Sequence, residues 1–185
     1  MVAGPAAETA EWDPESRLDL TAYAPALGPG GKPGLPLPLG LGALLLDQAG
    51  YTGRRMLQAV SDEEPAMACT GLGARLAAAA PRVALLALGD GSARRSTAAP
   101  GYLDERAVPF DTMVEQAVRA GDLAALAGVD PALARDLMAT GRPAWQVLAG
   151  ALGPGRPATD VLYADGPFGV HYLVAVFTPA TDRSA

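Results

Sequence analysis

The apolar run at residues 83–88 (VALLAL) constrains the fold of this chain more than any other segment. It is short, apolar at every position, and bounded by Pro81 and Gly89. A strand with one face in water alternates apolar and polar residues, whereas an unbroken apolar run is typical of a strand buried on both faces. The run therefore predicts an interior strand of a sheet that helices cover on both sides.

The rest of the chain alternates strand and helix patterns. Further strands are predicted at residues 1–4, 18–24, 54–60, 160–164 and 170–177, the last two as a hairpin. Helices are predicted at residues 39–48, 66–80 and 110–120, and as three short segments between 122 and 153. We therefore expect an α/β fold with a central, mostly parallel sheet flanked by helices on both faces. Residues 83–88 are expected to lie between strands 54–60 and 170–177.

Several predicted helices carry capping residues. Ser61 followed by Glu64 matches a capping box, and Asp130-Pro131 matches an N-cap with proline at the first helical position. Gly50 follows the first helix, where a C-terminal glycine is expected. The helix at 110–120 has an apolar face formed by Phe110, Met113, Val114, Ala117 and Val118.

Composition limits the class of protein. Half of the 185 residues are hydrophobic and 18% are charged, which predicts one packed domain over residues 1–185. A net charge of -6 argues against nucleic acid as a partner. Cys69 is the only cysteine, which fits a reducing compartment. The longest apolar stretch, residues 35–46, falls short of the ~20 residues that span a bilayer, and the N-terminus lacks a signal-peptide pattern, so we expect a cytoplasmic protein.

The loop that follows the apolar run, Gly89-Asp90-Gly91-Ser92, is the first candidate site. Its backbone N–H groups and the following arginines could bind a phosphate, but its spacing matches neither nucleotide-binding glycine motif. We favour a strand-ending turn with two solvated arginines. The loop also lacks the glycine frame of a serine nucleophile.

The ionisable residues of the chain suggest structural roles. His171 is the only histidine, and its apolar surroundings favour a hydrogen-bonded, partly buried side chain over a catalytic base. Asp104, Glu105 and Asp111, close to Arg106, suggest local ion pairing and helix N-terminal charge more than paired catalytic carboxylates.

Four stretches between residues 83 and 177 resemble the class III extradiol ring-cleavage dioxygenases, the subunit-B-like superfamily that includes the Memo-like proteins. They are VALLALGDGSARRS, APGYLDERAVPFD, LAALAGVDPALARDLMATGRPAWQVLAG and DVLYADGPFGVHYLVAVF. The chain is most similar to a small group of subunit-B-like proteins within that superfamily. The resemblance implies the dioxygenase fold and, in active members, a non-haem Fe(II) held by two histidines and a glutamate. Such a ligand set leaves coordination positions open for a catecholate and O₂.

The resemblance does not carry the family's catalytic residues onto this sequence. Ala93 occupies the position of the acid/base histidine, and Pro143 lies at or near the position of the glutamate ligand. Alanine cannot transfer a proton, and proline has no side-chain ligand atom. The two N-terminal histidines belong to a strand–loop segment that we expect this domain to lack. We therefore predict no catalytic residue, no metal ligand and no cofactor in this chain.

Two functions follow from this interpretation. The first is a dioxygenase-fold protein without metal chemistry that keeps the cleft as a binding or interaction surface. Its ligand would be small and anionic or polyhydroxylated, contacted by Asp90, Ser92, Arg94, Arg95, Tyr102 and Asp104. The alternative is an Fe(II)-dependent extradiol dioxygenase of catechol-like aromatics whose metal ligands come from outside this chain. A structural partner subunit or homo-oligomer, using residues 35–46 as its interface, is a third possibility.

Overall fold

A computed structural model describes residues 1–16, 18 and 34–179. Its strands are β1 (Val2–Ala6), β2 (Ala10–Trp12), β3 (Leu57–Ser61), β4 (Leu86–Ala87), β5 (Ala158–Asp165) and β6 (Tyr172–Thr178). Its helices are α1 (Leu37–Gln48), α2 (Ala66–Ala77), α3 (Ala107–Ala120), α4 (Leu123–Ala127), α5 (Pro131–Asp136) and α6 (Arg142–Leu152). None of the helices in these ranges has the length and apolar content needed to cross a membrane.

The larger sheet has four strands in the order β2-β3-β1-β4. β1 runs parallel to both of its neighbours, and Val2 is level with Leu57 on one side and Leu86 on the other. β2 pairs antiparallel with β3 at one edge. The predicted α/β class is thus confirmed, with a sheet that is mixed but parallel at its centre.

Helices cover both faces of this sheet. Val2 and Leu57 pack with Leu39 of α1, whereas Ala3 and Val60 pack with α2 and α6. Successive residues of a strand point to opposite faces, so this separation of neighbours is the expected consequence of a covered sheet.

The smaller sheet is the antiparallel hairpin of β5 and β6, whose register shifts between Val161 and Tyr163. Its inward residues, among them Leu173 and Phe177, pack against a second core formed by α3 to α6. This confirms the hairpin that was predicted at residues 160–164 and 170–177, with boundaries that differ by one or two residues.

The predicted position of residues 83–88 is wrong. Only Leu86–Ala87 form a strand, and that strand pairs with β1 at the edge of the four-stranded sheet. β6 lies in the separate hairpin and not beside β4. The interior positions belong to β1 and β3, where Val2, Ala3, Leu57, Ala59 and Val60 are fully buried. The apolar run of 83–88 is half-buried, because its outer edge faces a cavity in place of a neighbouring strand.

Local capping predictions had mixed outcomes. Asp130 caps α5 by accepting a hydrogen bond from the backbone N–H of Ala132, and Gly50 adopts a φ of 68° just after α1. The capping box at Ser61 is wrong, because α2 begins only after Pro65 and its cap position makes no side-chain hydrogen bond. The Ser61 hydroxyl accepts from the N–H of Glu63 in a turn instead. The predicted strand at 18–24 lies outside the described residues except for Leu18.

Helices α2 and α6 approach each other at glycines. A Cβ atom at Gly73 would lie 2.0 Å from the carbonyl oxygen of Val147, and one at Gly150 would lie 2.0 Å from that of Thr70. Both carbonyl oxygens belong to the backbone of the opposite helix, so they cannot move away without moving the helix. The two helices can therefore pack this closely only because both positions lack a side chain.

Candidate functional site

The loop after β4 reaches the start of β6 through its backbone. The N–H of Gly91 donates to the carbonyl of His171 (3.0 Å), and the N–H of His171 donates to the carbonyl of Ser92 (2.9 Å). A Cβ atom at Gly91 would lie 2.7 Å from the Cβ of His171, so a side chain there would separate the two segments. The glycines of this loop thus allow a close approach of two backbones.

Asp111 is the centre of a buried polar cluster. Its side chain comes from the second turn of α3 and the residue is 1% exposed. One carboxylate oxygen accepts from the backbone N–H of Ser92 (2.9 Å), and the other accepts from the Ser92 hydroxyl (2.5 Å) and from Arg95 (2.8 Å). The carboxylate therefore fixes the loop and is not free to act as a base.

His171 lies between two carboxylates of α3, those of Asp111 and Glu115. Its Nδ1 is 3.9 Å from Asp111 and its Nε2 is 3.7 Å from Glu115, both beyond hydrogen-bonding distance. The residue is 3% exposed. The two carboxylates face opposite ring nitrogens, so they cannot converge with the imidazole on one metal ion. Within the described ranges, no group of three or more His, Cys, Asp or Glu residues is arranged to hold a metal.

The two arginines of the loop are both engaged within the protein. Arg94 donates to the backbone carbonyls of Gly101 (2.7 Å) and Asp136 (2.8 Å), while Arg95 pairs with Asp111. Both side chains thereby tie the loop to neighbouring segments. Arg95 is partly exposed and also lines a surface cavity beside the β5–β6 turn, together with Phe168.

The remaining residues predicted to contact a ligand lie near the surface. Asp104 pairs with Arg106, and this arginine lowers the pKa of the Asp104 carboxyl to about 2. Tyr102 is 63% exposed and has a φ of 59°. Partial desolvation raises the pKa of the otherwise exposed Asp90 carboxyl. The local ion pairing predicted around Arg106 is confirmed for Asp104, whereas Asp111 serves the buried cluster and not the helix terminus.

A large apolar cavity, here called the inter-sheet cavity, lies between β4 and β6. Its volume is about 540 Å³. It is lined by residues 83–87, by β6 and by residues of α3 and α6. Gly89, Gly91 and His171 also line it, and the end at which Gly91 is hydrogen-bonded to His171 is here called its closed end. The apolar side chains that line it include Val114, Val118, Trp145, Leu148, Leu152, Leu173 and Phe177.

The six predicted ligand-contacting residues do not gather in the inter-sheet cavity. Ser92 is fully buried behind its closed end, and Arg94, Tyr102 and Asp104 line other parts of the surface. Sequence reasoning missed that Asp111 and Glu115 flank the single histidine. Their spacing of four residues places both carboxylates on one face of α3, which was the available indication.

Ala93 and Pro143, which the predicted resemblance aligned with catalytic residues, have structural roles. Ala93 exchanges backbone hydrogen bonds with Leu137 and Gly101. Pro143 is buried in the first turn of α6, beside Arg142, whose side chain is also buried. No carboxylate meets this guanidinium at ion-pair distance among the described residues. It donates to the carbonyls of Asp62 and Glu64 and to the side-chain oxygen of Gln146.

The fold and the site define a two-sheet α/β protein with a buried Asp–Ser–Arg cluster next to an apolar cavity. No model of a known protein family matches the sequence, and no curated protein matches it significantly.

Proposed function

We propose that this protein is a binding protein and that the inter-sheet cavity is its ligand site. The observation that carries the proposal is the cavity itself, with a volume of about 540 Å³ and a largely apolar lining. Sites for small molecules have volumes of roughly 300–1,000 Å³, apolar walls and a few polar groups that fix orientation. His171 supplies such a polar group, because it is buried, lines the cavity and has ring nitrogens without a hydrogen-bond partner in the described part of the chain.

The chemistry of the lining favours a mainly apolar ligand over the anionic one expected from the sequence. Among the described residues that line it, none is a lysine, arginine, aspartate or glutamate. Arg94 and Arg95 suggested an anion, but they donate to Gly101 and Asp111 within the protein. An anion would lose its hydration in this cavity without gaining a charged partner.

This proposal keeps the first of the two functions that the dioxygenase resemblance implies, a related scaffold used for binding.

Iron-dependent ring cleavage stays a separate prediction, since it requires ligands from outside the chain. Anaerobic titration with Fe(II), followed by metal analysis, tests it. We expect at most weak, substoichiometric iron. A stoichiometric iron signal that disappears in His171→Ala would favour the enzyme.

The binding proposal can be tested with the uncharged fluorescent probe N-phenyl-1-naphthylamine. Trp145 lines the cavity and can transfer excitation energy to a bound probe. The background Trp12→Phe removes the only other tryptophan. We expect saturable energy transfer with one site per chain, and an increase in melting temperature that grows with probe concentration.

A matched pair of variants shows whether the probe binds in the inter-sheet cavity. Ala87→Leu adds a larger side chain to the cavity wall, at a residue outside the buried core clusters. Ala10→Leu makes the same change on an exposed strand remote from the cavity. We expect at least tenfold weaker probe binding in Ala87→Leu and unchanged binding in Ala10→Leu. Absence of saturable transfer, or equal binding in the two variants, would refute the proposed site.

A further inference from the structure

The inter-sheet cavity lies between two strand edges whose backbone groups have no partner among the described residues. On the β4 side, the N–H groups of Leu86 and Leu88 donate to β1 at 2.9 and 2.8 Å. Because successive residues of a strand direct their backbone groups to opposite sides, those of Leu85 and Ala87 face away from β1. Gly91 continues the same alternation, and its N–H does donate across to His171. The free edge of β4 therefore faces the cavity.

The β6 side repeats this arrangement. His171 directs its N–H and its carbonyl towards the loop at Gly91 and Ser92. By the same alternation, the backbone groups of Leu173, Ala175 and Phe177 face the cavity, while those between them pair with β5. These three residues are among those that line the cavity.

The two edges belong to separate sheets but are hydrogen-bonded to each other at one end. They are joined by the hydrogen bonds between Gly91, Ser92 and His171, and β4 runs towards this junction while β6 runs away from it. The strands thus diverge from the junction in antiparallel directions, and the cavity fills the space between them. Exposed strand edges are templates for pairing with another chain.

We propose that the ligand of the inter-sheet cavity is an extended polypeptide segment of a partner chain, which adds as a strand between β4 and β6. This inference rests on the proposed function, and it names the ligand class. A peptide backbone presents N–H and carbonyl groups on both sides, so it can satisfy both open edges at once. It would also extend the backbone hydrogen bonding that begins at the Gly91–His171 junction.

The cavity also specifies the side chains of the segment. Side chains on the face towards α3 and α6 meet Val118, Trp145 and Leu148, so they should be apolar. The opposite face lies beside the exposed Val174 and Val176 of β6, where polar residues are tolerated. The described residues of the lining include no acidic or basic side chain, which argues for an uncharged segment. The partner segment is therefore extended, uncharged and apolar at alternate positions.

The test uses fluorescein-labelled peptides with a core of six alternating residues, either valine and threonine or leucine and serine, flanked by lysines for solubility. Two further versions carry N-methyl groups on one or the other alternate set of amides. N-methylation removes the donors that face one strand edge and leaves every side chain in place. Fluorescence anisotropy measures binding, and hydrogen exchange measures the amides of Ala87 and Ala175.

We expect at least one unmethylated peptide to bind, at least tenfold weaker binding by either methylated version, and slower exchange at both amides. Ala87→Pro provides the protein-side variant. It removes a donor that faces the cavity without breaking a bond to β1, and proline is tolerated on an edge strand. This variant should lose at least tenfold in affinity for the unmethylated peptide.

The outcomes separate the two proposals. If N-phenyl-1-naphthylamine binds and no peptide does, strand addition is wrong and the binding cavity stands. If methylated and unmethylated peptides bind equally, the cavity takes apolar side chains without strand pairing, and strand addition is again wrong. If neither the probe nor any peptide binds, the proposed function fails as well.

Discussion

Removing the carboxylate of Asp111 should destabilise the protein far more than removing either of its partners. Asp111→Ala leaves the backbone N–H and the hydroxyl of Ser92 without acceptors at a residue that is fully buried. It also leaves Arg95 without its ion pair, but that side chain is partly exposed and can regain water.

The magnitude follows from these contacts. A buried polar group that loses its partner costs about 1–3 kcal/mol, and Ser92 contributes two such groups. Discounting Arg95 for its exposure, we expect Asp111→Ala to lower the free energy of unfolding by about 3 kcal/mol. For a chain of this length that corresponds to a fall in melting temperature of roughly 6–12 °C. Ser92→Ala, which removes one donor, should cost about 1.5 kcal/mol, and Arg95→Ala less than about 1 kcal/mol.

Urea denaturation followed by circular dichroism measures all three variants under one set of conditions. The order of the three losses is the critical result, because it depends on which groups stay buried. If Asp111→Ala lies within about 1 kcal/mol of wild type, the cluster does not hold the loop and the reasoning fails. A loss in Arg95→Ala as large as that in Asp111→Ala would show that the ion pair, and not the Ser92 contacts, dominates.

Three further predictions concern other parts of the molecule. Gly73→Ala should lower stability by about 1–3 kcal/mol in urea denaturation, because its Cβ would lie 2.0 Å from the carbonyl oxygen of Val147; an unchanged midpoint would mean that the helices can separate freely. Arg142→Ala should cost about 3–5 kcal/mol by the same assay, because a buried side chain is removed and the buried Gln146 oxygen and two partly buried carbonyls lose their donor; a loss below about 1 kcal/mol would show that water replaces the guanidinium. NMR titration should give the Asp104 carboxyl a pKa of about 2. Its stabilising effect is then complete above its ordinary pKa of 3.8 and disappears as the pH falls through about 2, and Arg106→Ala should return the pKa towards 3.8.

Features encoded by neighbouring residues were predictable from the sequence. The apolar spacing of residues 110–120 predicted α3, and Phe110, Val114, Ala117 and Val118 are indeed buried. The Asp130-Pro131 pair located the start of α5. Helical periodicity and caps act over three or four residues, so one short stretch of sequence contains the whole pattern. Met113, which lies at the margin of the predicted face, is exposed.

Features that depend on distant segments were not predictable. A continuous apolar run fits a strand between two others, and it equally fits a strand edge that borders an apolar cavity. Residues 83–88 proved to be the second case, because β1 and β3 occupy the centre of the sheet. In the cluster around Asp111, Ser92 lies 19 positions before the aspartate in the sequence, and His171 lies 60 positions after it. Neither separation leaves a local pattern.

Helix α6 has a consequence for how the molecule melts. Val147 belongs to the core beneath the larger sheet, whereas Ala149, two residues later, belongs to the core beneath the hairpin. Gln146 also donates to the carbonyls of Ala127 and Val129, which ties the helix to the segment around α4. Since one helix completes both cores, neither can lose it and remain packed. The described part of the chain should therefore unfold in a single step, with equal calorimetric and van't Hoff enthalpies, although its strands form two separate sheets.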